Sequence, residues 1–257
     1  MSRSEFGVYV HIPFCASKCE YCAFATWTDR GHLVDAYLRA LRTEIERAIG
    51  DGLPTADTVF VGGGTPTLVP AGALAGVIDA IPVSPDAEIT VECNPDDVTV
   101  EMLRTYRSAG VNRVSLGVQS MSAHVLAALG RTHDRANVAR AVEAIAASAV
   151  PTFNLDLIYG AVGETIDDWR RTVEAALAFD PPHVSAYALT VEAGTPLAGQ
   201  PDRHPDDDDQ ADKYELVDDL LGAAGLQNYE VSNCSRTGHE SRHNHLYWNQ
   251  DDYRGFG

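Results

Sequence analysis

Three cysteines fall within eight residues, Cys15, Cys19 and Cys22, just after the apolar run Val8-Tyr9-Val10-His11-Ile12-Pro13-Phe14. Thiolates are soft ligands that suit iron-sulfur clusters or zinc. A structural zinc or a complete cluster takes four protein ligands. A [4Fe-4S] cluster on this trio would therefore keep one iron free of protein. A zinc completed by His11 or by a distant ligand uses the same residues, whereas a disulfide is poorly served by an odd number. The other cysteines, Cys93 and Cys234, are far apart and read as small core residues.

A second set of chemical residues is spread along the chain. Gly62-Gly63-Gly64-Thr65 allows a backbone path without side chains, so that main-chain groups can approach a ligand closely and offer unblocked hydrogen bonds. Glu92, Gln119, Arg131 and Asp156 are polar residues at the ends of apolar stretches, where a buried charge is costly without a partner. A ligand with amino, carboxylate and hydroxyl groups would satisfy all four; so would an ion pair such as Arg131 with Asp156. His11 reads as a hydrogen-bonded histidine that shapes the cysteine loop, and Lys18 and Glu20 as solvated side chains.

The elements that must position these residues follow from periodicity. Apolar residues at helical spacing predict helices over 33–49, 70–81, 99–109, 122–129, 134–149, 164–179 and 210–224. Between them, short β-branched runs predict strands at 58–61, 88–93, 113–118, 152–158 and 183–189, after a first strand that enters the cysteine loop, with 229–233 a candidate seventh. Alternating strands and helices call for parallel pairing with right-handed crossovers. The expectation is a partial (β/α)6-type TIM-like barrel, with chemistry at the carboxyl ends of the strands. Six unusual segments lie there: the cysteine loop, the triple glycine, Glu92-Cys93-Asn94-Pro95, Gly117-Val118-Gln119-Ser120, Asp156-Leu157-Ile158-Tyr159-Gly160 and Tyr187-Ala188-Leu189-Thr190. The acidic run Asp206–Asp209 reads as a loop entering a helix whose amino end favours negative charge.

At 257 residues the chain suffices for one α/β domain, and a formal charge of −18 repels phosphate backbones, which argues against sequence-independent nucleic-acid binding. No stretch approaches a transmembrane segment, and Met1-Ser2-Arg3-Ser4-Glu5 is not followed by an apolar run of signal-peptide length, so the expected location is cytoplasmic.

The spacing C-x3-C-x2-C with an aromatic before its last cysteine resembles the radical S-adenosylmethionine (SAM) superfamily, in which the open iron chelates SAM through its amino and carboxylate groups. Tyr9-Val10-His11-Ile12-Pro13-Phe14-Cys15, Gly62-Gly63-Gly64-Thr65-Pro66-Thr67, Gly117-Val118-Gln119-Ser120, Gly130-Arg131, Asp156-Leu157-Ile158-Tyr159-Gly160 and Ser241-Arg242-His243-Asn244 together resemble the group formed by coproporphyrinogen III dehydrogenases and HemW-type heme chaperones. The resemblance implies a radical SAM core domain over 1–257 with a [4Fe-4S] cluster on Cys15, Cys19 and Cys22. It implies a first SAM at Tyr9, Gly63 and Glu92. By the same likeness, Tyr21, Gly64, Thr65, Gln119, Arg131 and Asp156 correspond to contacts with a second SAM in the dehydrogenase.

Two features separate the branches. The dehydrogenase carries a further cysteine two positions after the third cluster ligand, where this chain has Phe24. The segment His243-Asn244-His245-Leu246-Tyr247-Trp248 reads H-N-x-x-Y-W and resembles the motif associated with heme in the chaperone branch, which implies His243 as a heme residue. An imidazole can ligate heme iron and aromatic rings can pack on a porphyrin. The expected function is thus a heme chaperone that delivers heme to a recipient hemoprotein, with a homodimer as a possible assembly. The alternatives are an oxygen-independent coproporphyrinogen III dehydrogenase and a zinc-bound structural module. Members of the group continue past Tyr253-Arg254-Gly255-Phe256-Gly257 into a C-terminal helical domain, so the chain is expected to be a fragment lacking it.

Overall fold

The computed structural model describes residues 5–257. The amino-terminal segment, residues 1–4, on which part of the signal-peptide expectation falls, lies outside the described residues. Strand β1 (Phe6–Ile12) leads into the cysteine loop; α1 (Val34–Gly50), β2 (Ala56–Gly63), α2 (Ala71–Ile78), β3 (Val83–Cys93), α3 (Val100–Ser108) and β4 (Arg113–Gln119) follow. Then come α4 (Ala123–Ala128), α5 (Arg135–Ser148), β5 (Thr152–Tyr159), α6 (Ile166–Leu177), β6 (His183–Ala188) and α7 (Asp207–Ala223). The chain ends with β7 (Gln227–Glu230), β8 (Asn233–Ser235), α8 (Arg242–Trp248) and β9 (Asp252–Phe256).

Strands β1 to β6 pair in parallel in sequence order, within one sheet ordered β7-β8-β6-β5-β4-β3-β2-β1-β9. The expected partial barrel of parallel strands is therefore present. The predicted seventh strand is instead the antiparallel pair β7 and β8, attached to β6, and β9 adds a parallel strand beside β1 that periodicity did not signal. Helix α2 stops at Ile78, short of 81, because Pro82 biases its predecessor away from helical backbone.

Alternation along the strands assigns the two faces. Val8, Val10, Ile12, Val59, Val61, Ile89, Val91, Val114, Leu116, Leu155, Leu157 and Val184 are buried in the main core with residues of the helices. The opposite parity presents Tyr9, His11, Thr58, Phe60, Glu88, Glu92, Arg113, Ser115, Asn154, Asp156, His183, Ser185 and Tyr187 to the concave side, because successive side chains point to opposite faces. The barrel interior is thus largely polar, rather than apolar with polar tips.

The segment after β8 closes the barrel from below. Arg236 N donates to Pro182 O, Thr152 Oγ1 lies 2.8 Å from His239 Nδ1, and Arg113 donates to His239 O. The Arg242 and His243 amides donate to Glu88, and Thr58 Oγ1 lies 2.7 Å from His243 Nδ1. The chain crosses the starts of β6, β5, β4, β3 and β2 in turn, forming a floor and delivering β9 to the free edge of β1.

Candidate functional site

The cysteine loop is tied down from several sides. Gly64 N donates to Ile12 O and Thr65 N to Phe14 O, both at 2.7 Å; Trp27 N donates to Pro13 O at 2.8 Å and Cys15 N to Trp27 O at 3.1 Å. His11 places Nδ1 3.0 Å from the Tyr9 hydroxyl and Nε2 2.9 Å from Ala25 O, so it shapes the loop as its sequence position suggested. A Cβ on Gly64 would lie 2.6 Å from Phe14 O and 3.0 Å from Cys15 Sγ, which explains why a glycine is needed where the turn meets the loop. Glu20, expected to be solvated, pairs with Arg203, which also donates to Ala128 O.

Cys15, Cys19 and Cys22 are free, partly exposed thiols at the same end of the barrel as the glycine turn. Burial raises the Cys22 pKa, and the neighbouring Cys19 and Cys15 sulfurs push it in the same direction. Thr65 Oγ1 approaches Cys15 Sγ at 3.7 Å, and Arg131 donates to Cys19 Sγ at 3.8 Å. No group of three or more His, Cys, Asp or Glu side chains among the described residues is gathered tightly enough for one metal ion. A zinc about 2.3 Å from each thiolate would need its sulfurs nearly in contact. A cube that takes each thiolate on a different iron suits the looser trio.

The glycine turn presents acceptors. The Gly63, Gly64 and Thr65 amides are engaged by Glu92 Oε2, Ile12 O and Phe14 O, so the turn can offer a ligand acceptors rather than free N–H donors. Gln119 adopts a left-handed φ of 62° at a bulge in β4. A Cβ at Gly117 would lie 3.0 Å from the Gln119 Nε2, with the Arg131 guanidinium in ordinary contact at 3.5 Å. The Arg131–Asp156 pair weighed from sequence is not formed: Arg131 donates to Gly117 O and Cys19 Sγ, while Asp156 accepts from Ser115 Oγ at 2.7 Å and Asn154 Nδ2 at 2.8 Å.

Glu92 and Asp156 consequently face the chamber with no Lys or Arg among the described residues at ion-pair distance. Burial and the Asp156 charge raise Glu92 to about 7, against the pull of the Gly63 amide. Burial raises Asp156 as well, opposed by its Ser115 and Asn154 hydrogen bonds and by the charge of Arg113. Tyr187, which was not singled out by itself, has its phenol pushed up by burial, then by Asp156 and, less, Glu92. Strand parity on β6 was the signal available for it. Tyr9 stacks on Phe60 at 6.4 Å with its phenol raised by burial and Glu92, and burial and Cys19 raise Tyr21 beside the loop.

A concave barrel mouth holding two carboxylates with no Lys or Arg at ion-pair distance, beside main-chain acceptors and three thiols, fits a [4Fe-4S] cluster and SAM. SAM carries a sulfonium and an ammonium, and both would find counter-charge at Glu92 and Asp156. His243 lies elsewhere, fully buried in the floor. Its Nδ1 meets Thr58 and its Nε2 lies 2.8 Å from the Tyr247 hydroxyl; its ring stacks on Phe60 at 5.4 Å, and burial lowers it to about 4. It also packs on Gly7, roughly 16 Å down β1 from the cysteine loop at about 3.3 Å per residue.

An open barrel with a three-thiol loop at its mouth defines the class, and residues 9–176 match the model of the radical SAM superfamily. The fold superposes on coproporphyrinogen III oxidase from Escherichia coli, described as a radical SAM enzyme, with a TM-score of 0.86 at 23% identity, covering 99% of this chain and 63% of that one. Among curated proteins, the heme chaperone HemW of Mycobacterium tuberculosis is 46% identical over 269 aligned positions, covering 100% of this chain and 69% of the relative. The HemW of E. coli K12 is 37% identical, covering 98% and 68%. The chain belongs to the radical SAM superfamily and, within it, to the HemW family, whose membership implies SAM and a [4Fe-4S] cluster.

Proposed function

We propose that this chain is the SAM- and cluster-binding core of a heme chaperone, which binds heme and passes it to a recipient hemoprotein. The observation that carries this reading is the 46% identity, along the whole chain, to a relative named as a heme chaperone. Phe24, 63% exposed at the lip of the cysteine loop, supports the same branch, since the dehydrogenase pattern has a cysteine there.

In this proposal Cys15, Cys19 and Cys22 hold the cluster. Glu92 and Asp156 balance the positive charge of SAM, the Gly63–Thr65 turn accepts from its ammonium, and Tyr9, Tyr21, Gln119 and Arg131 line its surroundings. The proposed compartment is the cytoplasm, where thiols stay reduced; no helix among the described residues is long and apolar enough to cross a membrane. A homodimer is the proposed assembly, with heme and the recipient hemoprotein as partners and no role for nucleic acid.

Anaerobic reconstitution followed by heme titration tests the reading. Iron and sulfide near four per chain, a Soret shift on adding heme, and transfer of that heme to an apo-hemoprotein are expected for a four-iron cluster in a chaperone. Protoporphyrinogen formed from coproporphyrinogen III and SAM would replace the chaperone with the dehydrogenase, and zinc without sulfide would remove the cluster altogether.

A further inference from the structure

The cysteine loop is held in two halves by different flanks of the barrel mouth. Its first half belongs to the β1 side: Cys15 N donates to Trp27 O, Trp27 N to Pro13 O, Phe14 bridges to Trp27, and Thr65 Oγ1 lies 3.7 Å from Cys15 Sγ. The second half, with Cys19 and Cys22, shares none of these bonds. It turns on itself through Cys22 N to Cys19 O at 3.2 Å, and the main-chain bond that ties it elsewhere runs from Leu197 N to Glu20 O at 3.0 Å.

Leu197 lies in the segment 189–204, which leaves β6. Strands β1 and β6 stand at opposite ends of the six parallel strands, so the loop spans the mouth to reach it. The segment is internally braced: the Thr195 hydroxyl donates to Glu192 O at 2.7 Å, and tight turns at Leu197–Gly199 and Pro201–Arg203 are joined by His204 Nε2, 3.0 Å from Leu197 O. Leu189 and Leu197 are buried with Val125 and Leu129 in a small apolar cluster separate from the main core, and Tyr21 of the cysteine loop packs against that cluster.

Arg203 ties these pieces together. Its guanidinium pairs with Glu20, donates to Ala128 O at 2.8 Å and donates to Gln200 Oε1 at 2.7 Å. A half-exposed ion pair by itself holds weakly. A planar fork with three acceptors fixes direction as well as distance, and here the acceptors come from the cysteine loop, the end of α4 and the segment itself.

We infer that the segment 189–204 is a clamp on the cysteine loop and that Arg203 is its positioning residue, setting Cys19 and Cys22 while β1 and the glycine turn set Cys15. The inference rests on the cluster reading above. The distance from Cys15 to the other two thiols then depends on how the two flanks of the open barrel sit, so loading the trio and bracing the mouth are one event.

Hydrogen exchange of the full-length protein before reconstitution, read peptide by peptide, tests the clamp without the cluster. Arg203→Ala should speed exchange across 18–22 about tenfold, as expected when hydrogen bonds of a charged group are lost from a local opening, and leave 9–15 unchanged. Arg203→Lys, which keeps the charge without the fork, should fall between. Glu20→Gln should do the same, and it guards against an Arg203 variant that fails to fold. After anaerobic reconstitution, Arg203→Ala should alter the electron paramagnetic resonance of the reduced cluster, with Arg203→Lys restoring it in part, and reconstitution of the parent should slow exchange across 195–204. Acceleration confined to 123–130, with the parent's resonance kept, would reduce Arg203 to a support for the end of α4 and overturn the inference. Equal acceleration of 9–15 and 18–22 would overturn it too, because the halves would then move as one. A parent that takes up no iron and sulfide sinks the cluster reading instead, and leaves the exchange result to decide whether the clamp exists.

Discussion

Two carboxylate centres of this molecule, one at Glu164 and one at Glu92 and Asp156, differ in whether their charge is matched by an ion pair. Behind β5, Glu164 is 6% exposed and its Oε2 lies 3.3 Å from Lys213 Nζ. The same lysine reaches Asp209 at 2.6 Å and the Glu164 carbonyl at 2.9 Å, and Gly160 N donates to Glu164 Oε2. This arrangement locks α7 against the turn after β5 and has little left to offer a ligand. Inside the barrel, Glu92 and Asp156 have hydrogen bonds and no Lys or Arg at ion-pair distance, and only the more distant Arg113 guanidinium pulls on Asp156. The first centre has its cation in the chain, although Glu164 Oε1 is buried without a hydrogen-bond partner; the second has no Lys or Arg at ion-pair distance and can take positive charge from a bound molecule.

The largest expected effect comes from unbalancing the matched centre. Lys213→Met leaves Glu164 buried without its cation and should cost about 3–5 kcal/mol of stability, measured by urea unfolding. A loss below 1 kcal/mol would show that the lysine is not compensating buried charge.

Removing charge from the unmatched centre should do the reverse. In the folded chain Glu92 holds its proton to about 7, well above the ordinary carboxylate value of 4.5. Its penalty is therefore absent below about 4.5 and grows as pH rises to about 7, so it lowers stability across that window. Glu92→Gln should raise the stability of the ligand-free protein at pH 8 by on the order of 2 kcal/mol while weakening SAM binding about tenfold or more, as read by melting and calorimetry. Equal or lower stability in this variant would mean that the carboxylate is matched after all.

SAM should also bind the parent more tightly as pH rises through about 7, because the deprotonated Glu92 is the form that attracts a cation, and Glu92→Gln should flatten that profile. The smallest effect belongs to the hydrogen bonds that hold Asp156. Ser115→Ala should raise the Asp156 pKa further and reduce SAM affinity by a few fold, at roughly 1 kcal/mol per lost hydrogen bond.

Much of the site was legible residue by residue. The three cysteines, the glycine turn and the strand-end polar residues come to one mouth, as the alternation of strands and helices required. The intended neighbours were less legible. Arg131 and Asp156 were a plausible pair by charge, yet Arg131 turns to Cys19 and Gly117 while Asp156 is held by two polar side chains of the barrel lining. Which main-chain groups of the glycine turn stay open was not legible: its amides are spent on the cysteine loop and Glu92, which leaves its carbonyls. Tyr187 shows the opposite case, a residue that strand parity could have singled out.

What the sequence by itself determined is the local order: a thiol trio of fixed spacing, a turn only glycine can make beside it, and the parity that divides each strand into an apolar and a polar face. Tertiary structure alone decided which distant pieces complete those faces. The hydrogen bond between Thr58 and His243 joins positions 185 residues apart, and nothing in the local pattern of either specifies the other. Period and propensity act over a few residues, whereas the floor and the carboxylates facing one another across the barrel arise only when packing brings remote segments together.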